Sequence, residues 1–157
     1  MQEEFILFGS QHISALSTVI AASVVTPIVL RTSSSIEFKK SVSMVLAILL
    51  ILHELIKPFY RYYLFGHELL LVFPIHICHL AAISMGLFLI LKKEFLFEIA
   101  YFWGLSGNLL AMVTPDMKYG FPNLEFIMFY FGHGLLLLSI LFACVCLRTS
   151  LRWSSIV

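Results

Sequence analysis

Five long apolar stretches follow one another along this chain, at residues 11–30, 41–57, 69–91, 95–114 and 124–147. A membrane span needs about 20 mostly apolar residues, and a helix satisfies its own backbone hydrogen bonds in lipid. The composition agrees, because 61% of the residues are hydrophobic, 12% are charged and the mean hydropathy is +0.99. The sequence therefore predicts an all-α, polytopic membrane helix bundle of about five transmembrane helices.

The length of 157 residues leaves room for a single integral membrane domain, residues 1–157, with short connections. The net charge of +1 and the absence of a basic stripe in the sequence argue against nucleic-acid binding. Glu3 and Glu4 precede the first span with no Lys or Arg beside them, which is the opposite of a signal-peptide amino terminus. We therefore expect the first span to remain in the mature protein.

Basic residues gather at one end of the predicted bundle, and they predict its orientation. One end carries Arg31, Lys39, Lys40, Lys92, Lys93, Arg148 and Arg152. The other end carries Lys57, Arg61 and Lys118. Lys and Arg in short loops are retained in the cytoplasm, so we predict the amino terminus outside and the carboxyl terminus inside. The connections 58–68 and 115–123 then face outward.

Polar side chains collect in the outer half of the predicted spans. At 1.5 Å per residue, Cys78 and His133 lie roughly 12–15 Å below the outer surface. The other members of this polar set are His12, His53, Glu54, His76, His79, Asn108 and Asp116. A charge at mid-span costs on the order of 2.5–3.5 kcal/mol, so such groups usually face a partner or a cavity. One histidine alone is better explained by a bond to a neighbouring helix, but the converging set predicts a site.

The third span carries the densest local pattern, FPIHICHL at 73–80. On a regular helix His76 and His79 share a face, whereas Cys78 lies roughly 200° from His76, so the three cannot all face one ligand unless Pro74 distorts the turn. A thiol in apolar surroundings is inert unless a base or a positive charge assists it. His133 is the natural base, because the glycines on either side of it let another helix or a lipid come close.

The blocks HE at 67–68, FPIHICHLA at 73–81, YFWGLSGN at 101–108, TPD at 114–116, FP at 121–122 and HG at 133–134, with FGSQH at 8–12, resemble the YwaF-like bacterial integral membrane proteins. The same pattern resembles a eukaryotic relative, transmembrane protein 164, which is understood as a lipid acyltransferase that uses a cysteine and a histidine. The resemblance implies that Cys78 and His133 are the catalytic pair. It also implies a multi-pass protein of the bacterial plasma membrane and at least one further span beyond Arg148, so we expect the chain to be short at its carboxyl end.

The implied reaction transfers an acyl group from a membrane lipid. His133 takes the thiol proton of Cys78, the thiolate accepts the acyl group from a phospholipid ester, and an alcohol or water receives it. In this reading Asn108 donates to the developing oxyanion, and Asp116 or Glu54 holds the histidine tautomer. We expect no cofactor, and the sequence leaves the lipid and the oligomeric state open.

Two other classes of function use the same residues. A metal or ion site could draw on His53, Glu54, His76, His79 and His133, although no His-x-x-x-His or Glu-x-x-His pairing within a helix supports it. A transporter or a scaffold without chemistry is the third class, and the lack of a repeat argues against a secondary transporter. Acyl transfer needs Cys78, a metal site needs only the histidines, and a scaffold needs neither.

Overall fold

Five α-helices make up the described part of the chain, which a computed structural model gives for residues 3–33, 35–66, 68 and 76–151. They are α1 (Ser10–Ser33), α2 (Ile36–Phe65), α3 (Ile77–Leu91), α4 (Glu94–Val113) and α5 (Leu124–Cys146). Within these ranges there is no strand, and an isolated bridge joins Glu4 to Tyr119. The predicted all-helical architecture is confirmed.

Four of the helices, α1, α2, α4 and α5, are long and apolar enough to cross a membrane. The chain is therefore a multi-pass membrane protein of the helical class. The described part of α3 has 15 residues, which extend about 22 Å at 1.5 Å per residue and fall short of a full span. The predicted span 69–91 begins earlier, but residues 69–75 lie outside the described part of the chain.

Helix α2 is longer than the sequence predicted. It begins after Ser35, whose hydroxyl oxygen accepts a hydrogen bond from the Phe38 N–H at 3.2 Å, and it ends at Gly66, which adopts a left-handed φ of 65°. The sequence predicts a connection at 58–68, and this prediction is wrong for residues 58–65, which are helical. Pro58 removes only one backbone hydrogen bond and its fixed φ is close to that of a helix, so the helix continues through it.

Helix α5 is the centre of the bundle, because it packs against each of the other four helices. Helix α1 packs mainly along α5, whereas α2, α3 and α4 enclose the apolar core with it. Glycines let these helices approach closely. A Cβ on Gly104 would lie 2.6 Å from Cδ1 of Ile140, and one on Gly86 would lie 2.8 Å from Cγ1 of Ile51. Such small residues are typical of helix packing in membranes.

The two ends of the bundle differ in chemistry. At one end, which we call the basic end, Lys39 donates to the carbonyl of Arg31 and Lys92 donates to the hydroxyl of Ser43, both at 3.0 Å. These bonds show that the end of α1, the start of α2 and the end of α3 meet there. The opposite end, which we call the site end, contains the end of α2, the start of α3, the end of α4 and the start of α5.

Candidate functional site

A cleft of about 430 Å³ opens at the site end of the bundle. This volume lies within the range of pockets that hold small molecules. Its lining residues come from α2 to α5 and from the connection before α5: Lys57, Tyr60, Arg61, His76, Cys78, His79, Ala111, Thr114, Pro115, Asp116, Met117, Glu125, Phe129 and His133. We call it the site cleft. It brings together five of the predicted site residues, His76, Cys78, His79, Asp116 and His133.

A much smaller void of about 10 Å³ adjoins the site cleft, because Lys57, Cys78 and His133 line both spaces. The other residues around this void are His53, Glu54, Ala82, Asn108, Gly132 and Leu136. The void is about the size of one water molecule. Only the site cleft therefore has room for a larger ligand, and the three shared residues mark its inner end.

The ring of His133 is held in one tautomer by the backbone of its own helix. Its Nδ1 lies 2.9 Å from the carbonyl oxygen of Phe129, one turn earlier on α5. A carbonyl oxygen only accepts, so Nδ1 carries the proton and donates it, and Nε2 keeps its lone pair. This carbonyl, and not Asp116 or Glu54 as the sequence suggested, fixes the tautomer. His133 is buried, and its lone pair is available as a base.

Glu54 is the centre of a buried network that joins three helices. One carboxylate oxygen accepts a hydrogen bond from Nδ1 of His79, and the other lies 3.3 Å from Nδ1 of His53. Nε2 of His53 donates to the carbonyl of Met128 at 3.2 Å. The network therefore ties α2 to α3 and α5. In the described ranges, no group of three His, Cys, Asp or Glu side chains is arranged to hold a metal ion.

Asn108 is fully buried on α4 and contacts the backbone of the candidate base. Its Nδ2 donates to the carbonyl of His133 at 3.1 Å, and its Oδ1 has no hydrogen-bond partner among the described residues. The sequence suggested that this amide donates to an oxyanion. In the structure one of its two N–H groups is already used to position His133.

Three glycines near the site residues allow other side chains to approach closely. A Cβ on Gly132 would lie 2.2 Å from Cε1 of His53, and one on Gly134 would lie 3.0 Å from Cγ1 of Val19. The prediction that these glycines allow close approach around His133 is confirmed. A third position, Gly107, leaves room beside the thiol, because a Cβ there would lie 3.5 Å from Cys78 Sγ.

Helix α3 begins beside the site, and this changes the geometry expected from the sequence. His76 is the N-cap, with an extended backbone at φ −69° and ψ 148°, and Cys78 lies in the first helical turn. The angles of a regular helix therefore do not apply to His76. His76, Cys78 and His79 all line the site cleft, whereas Pro74 is outside the described residues. The depth predicted for Cys78, which is counted from residue 69, does not apply to the described helix either. The predicted proximity of Cys78 to His133 is supported.

Sequence reasoning missed Lys57 and Arg61, which line the site cleft from α2. Glu54, Lys57 and Arg61 are spaced three and four residues apart, so they form one polar stripe on a helix. The sequence does not predict this stripe, because it predicts a connection that begins at Pro58. An Nη2 of Arg61 lies 3.8 Å from a carboxylate oxygen of Glu125, a residue of α5 that also lines the cleft.

His12 does not line the site cleft. Its Nδ1 accepts a hydrogen bond from the Phe8 N–H at 2.9 Å, and its Nε2 donates to the carbonyl of Met112 at 3.0 Å. Its ring is buried and lies near those of Phe5 and Tyr130. These contacts place His12 between α1 and the end of α4, where it joins helices.

The chain belongs to the TMEM164 family, whose family model matches residues 7–157. The match includes every residue that lines the site cleft. No curated protein and no solved structure matches the chain.

Proposed function

Taking membership of the TMEM164 family as the premise, we propose that this membrane protein is a thiol-dependent lipid acyltransferase or lipid hydrolase. Cys78 is the nucleophile and His133 is the general base. The observation that carries the proposal is that both side chains line the inner end of one cleft, with the Nδ1 proton of His133 donated to Phe129. The remaining lone pair on Nε2 can take the thiol proton.

The proposed reaction has two steps. Nε2 of His133 removes the proton of Cys78, and the thiolate attacks the carbonyl carbon of a lipid ester. The carbon–oxygen bond of the ester breaks, the imidazolium returns its proton to the departing lysolipid oxygen, and a thioester remains. In the second step an acceptor hydroxyl or water gives its proton to His133 and attacks the thioester, which releases the acyl product and restores the thiol.

Two features favour negative charge beside the thiol. Lys57 lines both the site cleft and the void next to Cys78. Cys78 also lies in the first turn of α3, where backbone N–H groups lack acceptors within the helix and the helix dipole favours an anion. We assign stabilisation of the thiolate and of the tetrahedral oxyanion to these groups, and we assign the positioning of His133 to Asn108.

A membrane lipid is the substrate class that the surroundings favour. Ile77 and Leu80, on either side of Cys78 and His79, are exposed on the surface of the bundle. In a multi-pass protein such apolar side chains face acyl chains. A lipid ester can therefore approach the site cleft from the leaflet without leaving the membrane.

We also propose that the protein is a YwaF-like bacterial member of the family and that it resides in the plasma membrane. This assignment is supported by the sequence blocks that carry the resemblance and by the four apolar helices. Membrane fractionation of bacterial cells that express a tagged chain tests the location, which is expected to be the inner membrane fraction.

Labelling with a lipid-like, thiol-reactive acyl probe tests the catalytic assignment. The membrane-embedded chain is compared with Cys78→Ala, which is expected to lose labelling, and with His133→Ala, which is expected to label more slowly. A general base contributes about 10²- to 10⁴-fold to such a step, so a decrease of that order is expected for His133→Ala.

Cys144→Ala and Cys146→Ala are the matched controls, because these half-buried thiols lie near the basic end of α5. Both controls are expected to label as the parent chain does. Labelling that survives in Cys78→Ala, or that is lost in a cysteine control, contradicts the proposal. If labelling depends on the histidines and an added metal ion but not on Cys78, the metal-site alternative replaces it.

A further inference from the structure

A second cavity, of about 440 Å³, lies at the basic end of the bundle. It is enclosed by the end of α3, the beginning of α4 and the segment that follows α5. Lys92, Arg148, Thr149 and Ser150 give it polar walls. Among the described residues, this cavity shares none of its lining with the site cleft, and it has no part in the proposed acyl transfer.

The backbone turns sharply at both basic residues of this cavity. Lys92 has a φ of 55° and Arg148 has a φ of 56°, in the left-handed region where glycine is the least strained residue. After the second turn the Thr149 N–H donates to the carbonyl of Ala143 at 3.1 Å. The segment after α5 is thus folded back toward its own helix, and its side chains contribute a wall of the same cavity as Lys92.

The cavity combines positive charge with an apolar surface. Phe88 and Leu147 form its apolar part, and the Lys92 ammonium lies 5.6 Å from the centre of the Phe88 ring. Lys92 donates to the hydroxyl of Ser43, and among the described residues neither it nor Arg148 has a carboxylate within salt-bridge distance. Partial desolvation lowers the pKa of Lys92 from its ordinary value, and a bound anion offsets that effect.

We infer that this cavity binds the phosphate of an anionic phospholipid headgroup from the leaflet at the basic end. Two cations and two hydroxyls provide donors for phosphate oxygens, while Phe88 and Leu147 can contact the glycerol and the upper acyl chain. Basic residues at a membrane surface attract anionic lipid. The location at the basic end, just beyond the helices that can cross the membrane, places the cavity at headgroup level.

Substitution of the two basic residues that line the cavity tests the inference. Lys92→Gln and Arg148→Gln are each expected to weaken the binding of the anionic headgroup. The expected loss is about fivefold for each cation, which corresponds to about 1 kcal/mol per basic residue. Arg148 is exposed, so its substitution does not disturb the packed bundle.

The experiment uses the full chain in an uncharged detergent, with short-chain phosphatidylglycerol titrated in and the heat of binding measured. Lys93→Gln is the matched control, because it removes a neighbouring exposed charge that does not line the cavity. It is expected to bind as the parent chain does. Short-chain phosphatidylcholine, which has no net charge, is expected to bind more weakly than phosphatidylglycerol.

Three results overturn the inference. If phosphatidylcholine binds as tightly as phosphatidylglycerol, the cavity does not select an anionic headgroup. If Lys93→Gln weakens binding as much as Arg148→Gln, the attraction is diffuse and no site exists. If inorganic phosphate displaces phosphatidylglycerol at equal concentration, the ligand is free phosphate and the lipid assignment fails.

Discussion

At the scale of single residues, histidines of this chain differ in what their ring nitrogens contact. His12 and His53 have contacts at both nitrogens. His133 donates through Nδ1 to a backbone carbonyl and lines the site cleft. Only an imidazole with a free lone pair can accept a proton from a neighbouring thiol. The hydrogen-bond partners, and not the residue type, therefore separate His133 from His12 and His53.

Gly132→Ala is expected to destabilise the bundle. The new Cβ would lie 2.2 Å from Cε1 of His53, and the His53 ring cannot move away without losing its hydrogen bond to the carbonyl of Met128. Overpacking of this kind typically costs about 1–3 kcal/mol in unfolding free energy. Thermal unfolding in detergent, followed by circular dichroism, measures the decrease.

Gly107→Ala is the control for that substitution, because its Cβ would lie at an ordinary contact distance of 3.5 Å from Cys78 Sγ. We expect its unfolding temperature to stay close to that of the parent chain. Its acylation by the lipid probe is expected to slow, since the methyl group occupies space beside the sulfur. Equal stability of the two glycine variants would show that the approach of His53 to α5 is not tight.

The sequence alone places Cys78 and His133 near each other, because both lie in the half of the predicted spans where the polar side chains collect. It could not show what orients His133. The partner is the carbonyl of Phe129, and a backbone carbonyl is present at every position of a sequence. The same limit applies to Asn108, because the sequence does not show that one of its two N–H groups donates to the His133 backbone.

At the scale of helices, the main departure from the sequence is where α2 ends and α3 begins. Pro58 suggested a connection, but the lost hydrogen bond is one among many in a helix of 30 residues. Because α2 continues past Pro58, Arg61 lines the site cleft. The described α3 begins at Ile77, and Cys78 in its first turn lines the same void as His133. Hydropathy cannot locate such a boundary, because the residues on both sides of it are apolar.

Helix α1 is held by His12, and His12→Ala is expected to loosen it without damaging the site. The substitution leaves the carbonyl of Met112 and the N–H of Phe8 without their partner. A buried group left unsatisfied costs about 1–3 kcal/mol, so the unfolding temperature should fall. Labelling of Cys78 per folded molecule should remain unchanged, because His12 does not line the site cleft.

His76→Ala is a matched control for this prediction, since His76 is an exposed histidine whose side chain accepts no cap hydrogen bond. The His76→Ala variant is expected to unfold at the temperature of the parent chain. If folded His12→Ala cannot be labelled at Cys78, then His12 acts on the site and its assignment as a link between helices fails.

At the scale of the whole molecule, the two candidate sites lie at opposite ends of the bundle. The site end holds the cleft with Cys78 and His133, and the basic end holds the cavity with Lys92 and Arg148. Between them lies an apolar core that includes Met85, Phe97 and Ile140. The two cavities therefore open toward opposite leaflets, and the side on which each opens depends on the orientation in the membrane.

The orientation predicted from the basic residues can be measured with single cysteines introduced at exposed positions of the two ends. Lys118→Cys marks the site end and Lys93→Cys marks the basic end. Because Lys and Arg in short loops stay in the cytoplasm, a membrane-impermeant maleimide should label Lys118→Cys in intact cells and Lys93→Cys only after permeabilisation. The parent chain, with its three cysteines, gives the background. The reverse pattern would place the site cleft in the cytoplasmic leaflet, and the acyl donor and acceptor would then have to be sought among the lipids of that side.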